Sequence, residues 1–236
     1  MRAWPALADS DFDGWRLRFA DGYTRRANSI TPLGVGRLAI EDKVATCERL
    51  YAERGLPTIF RLTPFAPAAL DDLLARRGYH LGDEVEVRSR AFGPGAPLLP
   101  QQAVGIVREH ALDPWLEIFE ALSSAAPGNR AAHGAVLKAG PGIRRLLALR
   151  VGRAPVACGM SVLVDGLLGL FDLVTAPEQR NRGYGSEMLR RALRWGEKAG
   201  AQEAYLQVLV RNASARRIYE RAGFDVRYLY HYREKH

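Results

Sequence analysis

The sequence predicts an α/β (α+β) fold in which a mixed sheet is flanked by helices and the chain runs through two consecutive halves. Along the chain, segments with strand patterns are followed by segments whose apolar residues have helical spacing. A break rich in proline and glycine, AFGPGAPLLP at Ala91–Pro100, interrupts both patterns and is interpreted as a linker. The 236 residues are 47% hydrophobic and 25% charged, an ordinary globular composition that excludes disorder for most of the chain.

The first half, residues 1–90, is predicted to be the smaller one, with the order β-β-α-β-α-β. Asp21-Gly22 lies between two segments, WRLRFA and YTRRANSI, that show the two-residue alternation of strands. This pattern predicts a tight hairpin. Helices are expected near Leu38–Arg54 and Ala68–Arg77, because glycine follows each apolar periodic stretch. The segments TIFRL and EVEVRSR are predicted to be the remaining strands.

The second half, residues 101–236, is predicted to have the order β-α-(α)-β-β-β-α-β-α-β. Its expected helices are Pro114–Leu122, a short one within the connection 126–142, Gly183–Ala199 and Ala213–Ala222. The strands are expected in AVGIVRE, RRLLALRVG, APVACGMSVLVDG, LLGLFDLVT, AYLQVLV and FDVRYLYHY.

The distribution of charge indicates which kind of partner the protein binds, and the composition excludes several classes of protein. The net charge of +8 lies mainly in the second half, which has 20 basic and 13 acidic residues against 14 and 13 before it. This excess favours an anionic partner such as nucleic acid, an acidic membrane or a phosphorylated small molecule. No apolar run is long enough for a membrane helix or a signal peptide, so we expect a cytoplasmic protein with no membrane partner. Two distant cysteines and scattered histidines predict neither a disulfide framework nor a metal site.

The segment VTAPEQRNRGYG, at Val174–Gly185, carries the strongest chemical pattern. A strand ends there, a basic loop follows, and two glycines open a helix whose first N–H groups lack partners within the helix. Gly183 and Gly185 would let a diphosphate reach those amides, and Arg180 and Arg182 would attract it. Taken alone, the Gly-x-Gly pattern is common, and it favours an ordinary helix start with solvated arginines over a phosphate site. The dinucleotide fingerprint and the GxxxxGK[ST] phosphate loop are both missing.

Two motifs give the second half a family resemblance. RNRGYG at Arg180–Gly185 matches R/Q-x-x-G-x-G/A, and NASARRIYERAGF at Asn212–Phe224 matches N-x-x-A-x-x-x-Y-x-x-x-G-F. Residues 101–236 therefore resemble the GNAT superfamily of acyl-CoA-dependent N-acetyltransferases. The first half resembles an extra segment of some bacterial members and looks like a degenerate copy of the same fold. Leu33–Gly36 lies where its phosphate loop would be, but no arginine precedes it at the motif spacing.

The resemblance implies direct transfer of an acetyl group from acetyl-CoA, as co-substrate, to a primary amine of a small molecule or an amino terminus. It also implies that acetyl-CoA lies between two splayed parallel strands, with its diphosphate at the glycine-rich loop. The residues that it places against this co-substrate are Leu173, Val174, Thr175, Arg180, Asn181, Arg182, Gly183, Tyr184, Gly185, Ser186 and Asn212. An N–H near Val174 would stabilise the oxyanion.

Two residues are candidates for proton transfer. Tyr219 matches the family tyrosine that protonates the departing thiolate, although it also belongs to an apolar stripe typical of a helix core. Asp172 is the nearest acidic candidate for the base that deprotonates the amine, and it is equally consistent with a polar strand residue or an ion-pair partner. Asn212 occupies a position where helix capping alone would explain it.

Two other function classes remain open at this point. A non-catalytic acyl-CoA-binding module would keep the basic loop without using Tyr219 chemically. A nucleic-acid-binding protein would account for the basic excess, but no recognition-helix or stacking-strand motif is present, so we expect no nucleic-acid partner. The expected assembly is a monomer or a homodimer.

Overall fold

The computed structural model describes residues 2–97, 99–101, 105–123 and 129–235. Their strands are β1 (Ala8–Phe12), β2 (Trp15–Phe19), β3 (Ile30–Pro32), β4 (Thr58–Leu62), β5 (His80–Ala91), β6 (Ile106–Glu109), β7 (Ile143–Val151), β8 (Ala154–Val164), β9 (Leu167–Thr175), β10 (Glu203–Leu209) and β11 (Asp225–Lys235). The helices are α1 (Ile40–Ala52), α2 (Leu70–Arg76), α3 (Leu112–Leu122), α4 (Arg130–Ala139), α5 (Tyr184–Lys198) and α6 (Ala213–Arg221), with a 3₁₀ turn at Pro177–Gln179. None of these helices is both long and apolar enough to cross a membrane.

The strands form one mixed sheet in the order β1-β2-β3-β4-β11-β5-β10-β9-β8-β7-β6. The predicted class, a mixed sheet flanked by helices, is therefore confirmed. The last strand, β11, lies between β4 and β5 of the first half and is antiparallel to both. Strand β5 in turn pairs with β10 of the second half. The boundary predicted near residues 91–100 stays a prediction, and strand pairing crosses it.

The second half follows the predicted order of elements. Its three central strands β7, β8 and β9 form an antiparallel meander, and β10 returns parallel to β9 after α5. The predicted connection at 126–142 contains α4, while residues 126–128 lie outside the described ranges. Residues 103 and 104 of the predicted strand AVGIVRE also lie outside them.

The hairpin predicted around Asp21-Gly22 is wrong. The tight turn is Asp13-Gly14, which joins β1 to β2, and the sequence analysis did not predict β1. Strands β2 and β3 are antiparallel as expected, but a ten-residue connection separates them. The Asn28 side chain holds this connection by accepting hydrogen bonds from the amides of Ala20 and Gly22. The first half thus has one strand more than predicted.

The helices divide unequally between the two faces of the sheet. In β4, Phe60 and Leu62 pack in one cluster with apolar residues of α1 and α2. In β10, Leu206 and Val208 pack with residues of α5 and α6. Because strand side chains alternate between faces, the intervening residues of both strands point to the opposite face. Helices α3 and α4 cover part of that opposite face, where they pack on β7, β8 and β9.

Candidate active site

Strands β9 and β10 separate from each other partway along their length. Their parallel pairing runs from Leu167 opposite Glu203 to Leu170 opposite Leu206 and ends there, although β9 continues to Thr175. Ala176 N–H donates to Val156 O of the adjacent segment on the β8 side. Since main-chain groups alternate in direction along a strand, the N–H and C=O of Thr175 face the opened side. The gap therefore offers backbone donors and acceptors to an extended ligand.

A bulge interrupts β9 at the point where the gap opens. Phe171 pairs with Met160 and Val174 pairs with Cys158, so Asp172 and Leu173 together oppose Gly159. Asp172 has a φ of 52°, a left-handed conformation that is uncommon for a residue other than glycine. Bulges of this kind redirect side chains and main-chain groups and are frequent beside active sites. Here the bulge directs the Asp172 side chain toward α4.

Helix α5 begins beside the end of β9 with an uncapped N-terminus. Gly183, its N-cap residue, has a φ of 83° and supplies no capping side chain. Across the described ranges, the amides of residues 181–186 have no hydrogen-bond acceptor. A Cβ at Gly185 would lie 3.7 Å from Thr175 Oγ1, so this helix end adjoins the gap. Unpaired amides and the helix dipole make such an end favourable for an anion.

The basic residues of the motif flank this helix end. Arg180, Asn181 and Arg182 are exposed, and neither arginine forms an ion pair within the described part of the chain. Tyr184 is buried with Leu149 and other apolar side chains, so its ring anchors the helix and leaves only its main chain at the loop. Ser186 and Gly185 are partly buried on the same turn.

Tyr219 of α6 lies on the other side of the gap. It is 9% exposed and packs in the same cluster as Leu170 of β9 and Val208 of β10. Its hydroxyl forms no hydrogen bond with the described residues, which leaves the O–H available to a ligand. Burial raises the pKa of Tyr219 to about 12, so the phenol is protonated at neutral pH.

Asn212 is the N-cap of α6. Its side-chain oxygen accepts a hydrogen bond from Ala215 N at 3.2 Å, and the residue is exposed. Capping therefore accounts for the oxygen, while the amide NH₂ of the same side chain remains able to donate to a ligand.

Asp172 is paired with a histidine that the sequence analysis did not single out. His133 Nε2 lies 3.0 Å from Asp172 Oδ2, and the two side chains are 3% and 10% exposed. Aromatic rings surround the imidazole, with centroids at 5.0 Å for Tyr23 and 4.9 Å for Phe119. An ionised Asp172 carboxylate accepts a hydrogen bond from the imidazole N–H in this apolar setting.

The first half contains a corresponding loop that is already filled. The segment Leu33–Gly36 lies between β3 and α1, the position equivalent to the loop between β9 and α5. Asp13 accepts hydrogen bonds from the amides of Arg37 and Leu38, both at 2.9 Å, and these bonds lower the pKa of its carboxyl group. The fully buried Lys43 ammonium lies 3.2 Å from the same carboxylate. An internal anion thus occupies the place that a phosphate would take.

Comparisons with known proteins identify the family. A family model described as "Probable histone acetyltransferase Rv0428c C-terminal" matches residues 1–233. The chain belongs to this family. It is 27% identical over 239 residues to "Uncharacterized N-acetyltransferase YobR" of Bacillus subtilis, covering 99% of this chain and 94% of that protein. It is 29% identical over 216 residues to "Probable histone acetyltransferase Rv0428c" of Mycobacterium tuberculosis, covering 87% of this chain and 62% of that protein.

Solved structures of this superfamily share the fold. A GCN5-related N-acetyltransferase from Kribbella flavida superposes with a TM-score of 0.71 at 16% identity, covering 98% of this chain and 90% of that one. A "Tandem GNAT protein from the clavulanic acid biosynthesis pathway" gives a TM-score of 0.59 at 12% identity, with coverages of 83% and 69%. The resemblance to the GNAT superfamily is confirmed, and this member of the Rv0428c-type family is an N-acetyltransferase.

Proposed function

We propose that this GNAT enzyme transfers the acetyl group of acetyl-CoA to a primary amine, of a small molecule or an amino terminus, by direct attack in a ternary complex. The unpaired amides at the start of α5, placed beside the open gap between β9 and β10, carry this proposal. An extended ligand with an anionic end fits that combination of a helix N-terminus and free strand backbone.

The chain would hold acetyl-CoA at three places. The amides of residues 181–186 would donate to the diphosphate, with Arg180 and Arg182 adding charge. The main chain at Leu173, Val174 and Thr175 would meet the pantetheine arm, and strand alternation favours Thr175 over Val174 for direct hydrogen bonds. The Asn212 NH₂ would donate to the same arm.

The bulge and Tyr219 would act on the acyl group from two sides. An N–H near Val174, just after the bulge, would donate to the thioester oxygen as negative charge develops on it. The Tyr219 hydroxyl would donate its proton to the departing thiolate, and its raised pKa keeps that proton available at neutral pH.

Asp172 is the group that we assign to proton removal from the amine. Its carboxylate lies at the bulge, and the hydrogen bond from His133 fixes its orientation. His133 is a positioning residue in this scheme, because aromatic rings enclose its imidazole.

Replacing Asp172 with asparagine is expected to lower kcat/KM at pH 7 by about 100-fold, the usual contribution of a general base. Asparagine also tolerates the left-handed backbone, so the bulge should persist. Without the base only the neutral amine reacts, and kcat/KM of Asp172→Asn should then rise about tenfold per pH unit below the pKa of the amine. Steady-state kinetics from pH 6 to 9 measure this rise.

Asp165→Asn is the matched control for that variant. Asp165 has a φ of 50°, close to that of Asp172, but it lies in the exposed turn between β8 and β9 and pairs with Arg2. Its replacement should leave kcat/KM and its pH profile unchanged. A role for Asp172 as base is excluded if Asp172→Asn keeps kcat/KM within twofold of the unmodified enzyme at pH 7.

One acetyl-CoA is expected to bind per chain. The loop in the first half already holds the Asp13 carboxylate, and a Cβ at Gly36 would collide with that residue, so no space remains there for a phosphate. Isothermal titration calorimetry should give a stoichiometry near one. Two equivalent sites would contradict the assignment of Asp13 as the internal anion.

The proposed activity is tested by screening amines for release of the free CoA thiol. An acetyltransferase should release CoA with at least one amine and give the acetylated amine by mass spectrometry. Tight binding of acetyl-CoA without release across the library would instead support a non-catalytic binding module, and no binding at all would overturn the proposal.

A further inference from the structure

A cavity of about 240 Å³ opens on the face of the sheet opposite α1, α2, α5 and α6. Residues from both halves line it, including Arg61 of β4 and Gln207 of β10. Phe171, the last residue before the bulge in β9, forms part of its wall. The cavity therefore adjoins the bulge from the side where Asp172 and His133 lie, and it provides space for an acceptor.

Three arginines line this cavity, and no acidic residue does. Arg18 and Arg61 are 2% and 6% exposed, while Arg26 stacks on Trp4 at 4.5 Å. Within the described residues none of the three forms an ion pair. Burying a cation without a counter-charge is unfavourable, so a bound anion would stabilise this cluster.

The protein satisfies these guanidinium groups only in part. Arg18 donates to the main-chain oxygens of Trp4 and Arg26, and its Nε has no partner. The guanidinium group of Arg61 forms no hydrogen bond with the described residues and lies over the Tyr230 ring at 4.4 Å. Stacking on a ring uses the flat face of a guanidinium and leaves its N–H edge free. The buried Thr31 hydroxyl beside them also lacks a partner.

Electrostatics favour an anion at this cluster. Burial and the neighbouring positive charge of Arg61 lower the pKa of Arg18 to about 10. Asp9, which is opposite Arg18 in the β1–β2 ladder, offsets this effect in part, but its carboxylate is exposed and forms its ion pair with Arg16. A carboxylate between Arg18 and Arg61 would relieve the repulsion and meet the fork geometry that guanidinium groups present.

We propose that the acceptor is an amine that carries a carboxylate, which Arg61 and Arg18 bind while the amino group points toward the bulge in β9. This inference rests on the proposed acetyltransferase function and specifies its substrate class. Trp4, Phe171 and Tyr228 give the cavity apolar walls against which the body of such a molecule packs. A lysine-rich peptide is positively charged, so the same arginines repel it.

Matched pairs of amines with and without the carboxylate test this substrate class. We would compare tyrosine with tyramine, tryptophan with tryptamine, and 5-aminovalerate with pentylamine, and would include a lysine-rich peptide. The carboxylate-bearing member should have at least a tenfold higher kcat/KM in one or more pairs. A ratio below tenfold in every pair, or preference for the peptide, would overturn the proposal.

The variant Arg61→Gln assigns the preference to the cavity. It should reduce the ratio of kcat/KM between the two members of a favoured pair to near one, chiefly by lowering kcat/KM for the carboxylate-bearing member. Arg54→Gln is the control, because Arg54 stacks on Phe19 at 4.3 Å but is exposed and lies outside the cavity. An unchanged ratio in Arg61→Gln would contradict the assignment.

A binding measurement separates this inference from the proposed function. N-acetyltyrosine and N-acetyltyramine, as product analogues, can be titrated by calorimetry whether or not turnover occurs. N-acetyltyrosine should bind the unmodified protein at least tenfold more tightly than it binds Arg61→Gln, and N-acetyltyramine should not distinguish them. Release of CoA with failed carboxylate selectivity would overturn only the substrate class, whereas absence of CoA release from every amine would overturn the proposed function.

Discussion

Replacing Gly183 with valine is expected to weaken acetyl-CoA binding by roughly 100-fold, about 2.7 kcal/mol. Gly183 has a φ of 83° at the N-cap of α5, a conformation that is strongly disfavoured for a β-branched residue. Relief of that strain would turn the amides of residues 181–186 away from a bound diphosphate, and the side chain would obstruct its approach. Loss of two charge-assisted hydrogen bonds accounts for the expected effect. Isothermal titration calorimetry with acetyl-CoA measures it.

Gly200→Val is the matched control at the other end of the same helix. Gly200 has a φ of 81°, and a Cβ there would meet no atom within 4 Å. The two variants should therefore lose similar stability, as measured by the change in Tm. If both bind acetyl-CoA equally well, the start of α5 does not hold the diphosphate.

Replacing Tyr219 with phenylalanine is expected to reduce kcat by 100-fold or more while the affinity for acetyl-CoA stays unchanged. A positioned general acid contributes about 10²- to 10⁴-fold, and the substitution removes only the hydroxyl from a well-packed ring. Pre-steady-state and steady-state kinetics, combined with calorimetry, separate the two quantities. A variant with full kcat would leave Tyr219 as a core aromatic residue only.

The control and the pH dependence make the test of Tyr219 specific. Tyr79→Phe removes another buried hydroxyl, one that donates to Glu48 in the first half, and should leave kcat unchanged. Since burial raises the pKa of Tyr219 to about 12, deprotonation of this phenol should reduce activity only well above pH 10. Loss of activity through a group with a pKa near 10 would indicate a solvated phenol and contradict the buried acid.

The second half was predictable because its signals are local. The strands β7, β8 and β9 are apolar runs separated by turn residues, β10 alternates, and α5 and α6 begin at recognisable glycine and asparagine positions. The two motifs then fixed which loop and which tyrosine to consider. The resemblance implied two splayed strands, and the structure adds that they are β9 and β10 with their pairing ending at Leu170.

The first half was less predictable because two similar turn signals compete. Asp13-Gly14 and Asp21-Gly22 both have a left-handed backbone, with φ values of 44° and 81° for the first and 49° and 76° for the second. Only the first is a two-residue turn between paired strands, whereas the second lies within the ten-residue connection from β2 to β3. The choice depends on Asn28 and Arg18, whose hydrogen bonds shape the longer connection, and these contacts have no sequence signature.

The residues predicted for the candidate site lie in or directly beside the two family motifs and on the strand just before the first of them. His133 lies in a helix with no metal-ligand or catalytic spacing, and it meets Asp172 across 39 residues through folding alone. The bulge at Asp172 likewise could not be predicted, because the residue with a left-handed backbone there is an aspartate and not a glycine. The three arginines of the cavity all lie in the first half, on β2, β4 and the connection before β3, while β9 and β10 supply other parts of its wall, so only the folded sheet brings this charge beside the bulge.

The position of β11 links folding to protein synthesis. The ribosome releases residues 225–235 after the rest of the sheet, yet this strand belongs between β4 and β5, more than 130 residues earlier in the chain. Until it emerges, the first half has two open strand edges that can pair with other chains. A stop codon ahead of β11 should therefore yield aggregated chains rather than a truncated enzyme with one intact half.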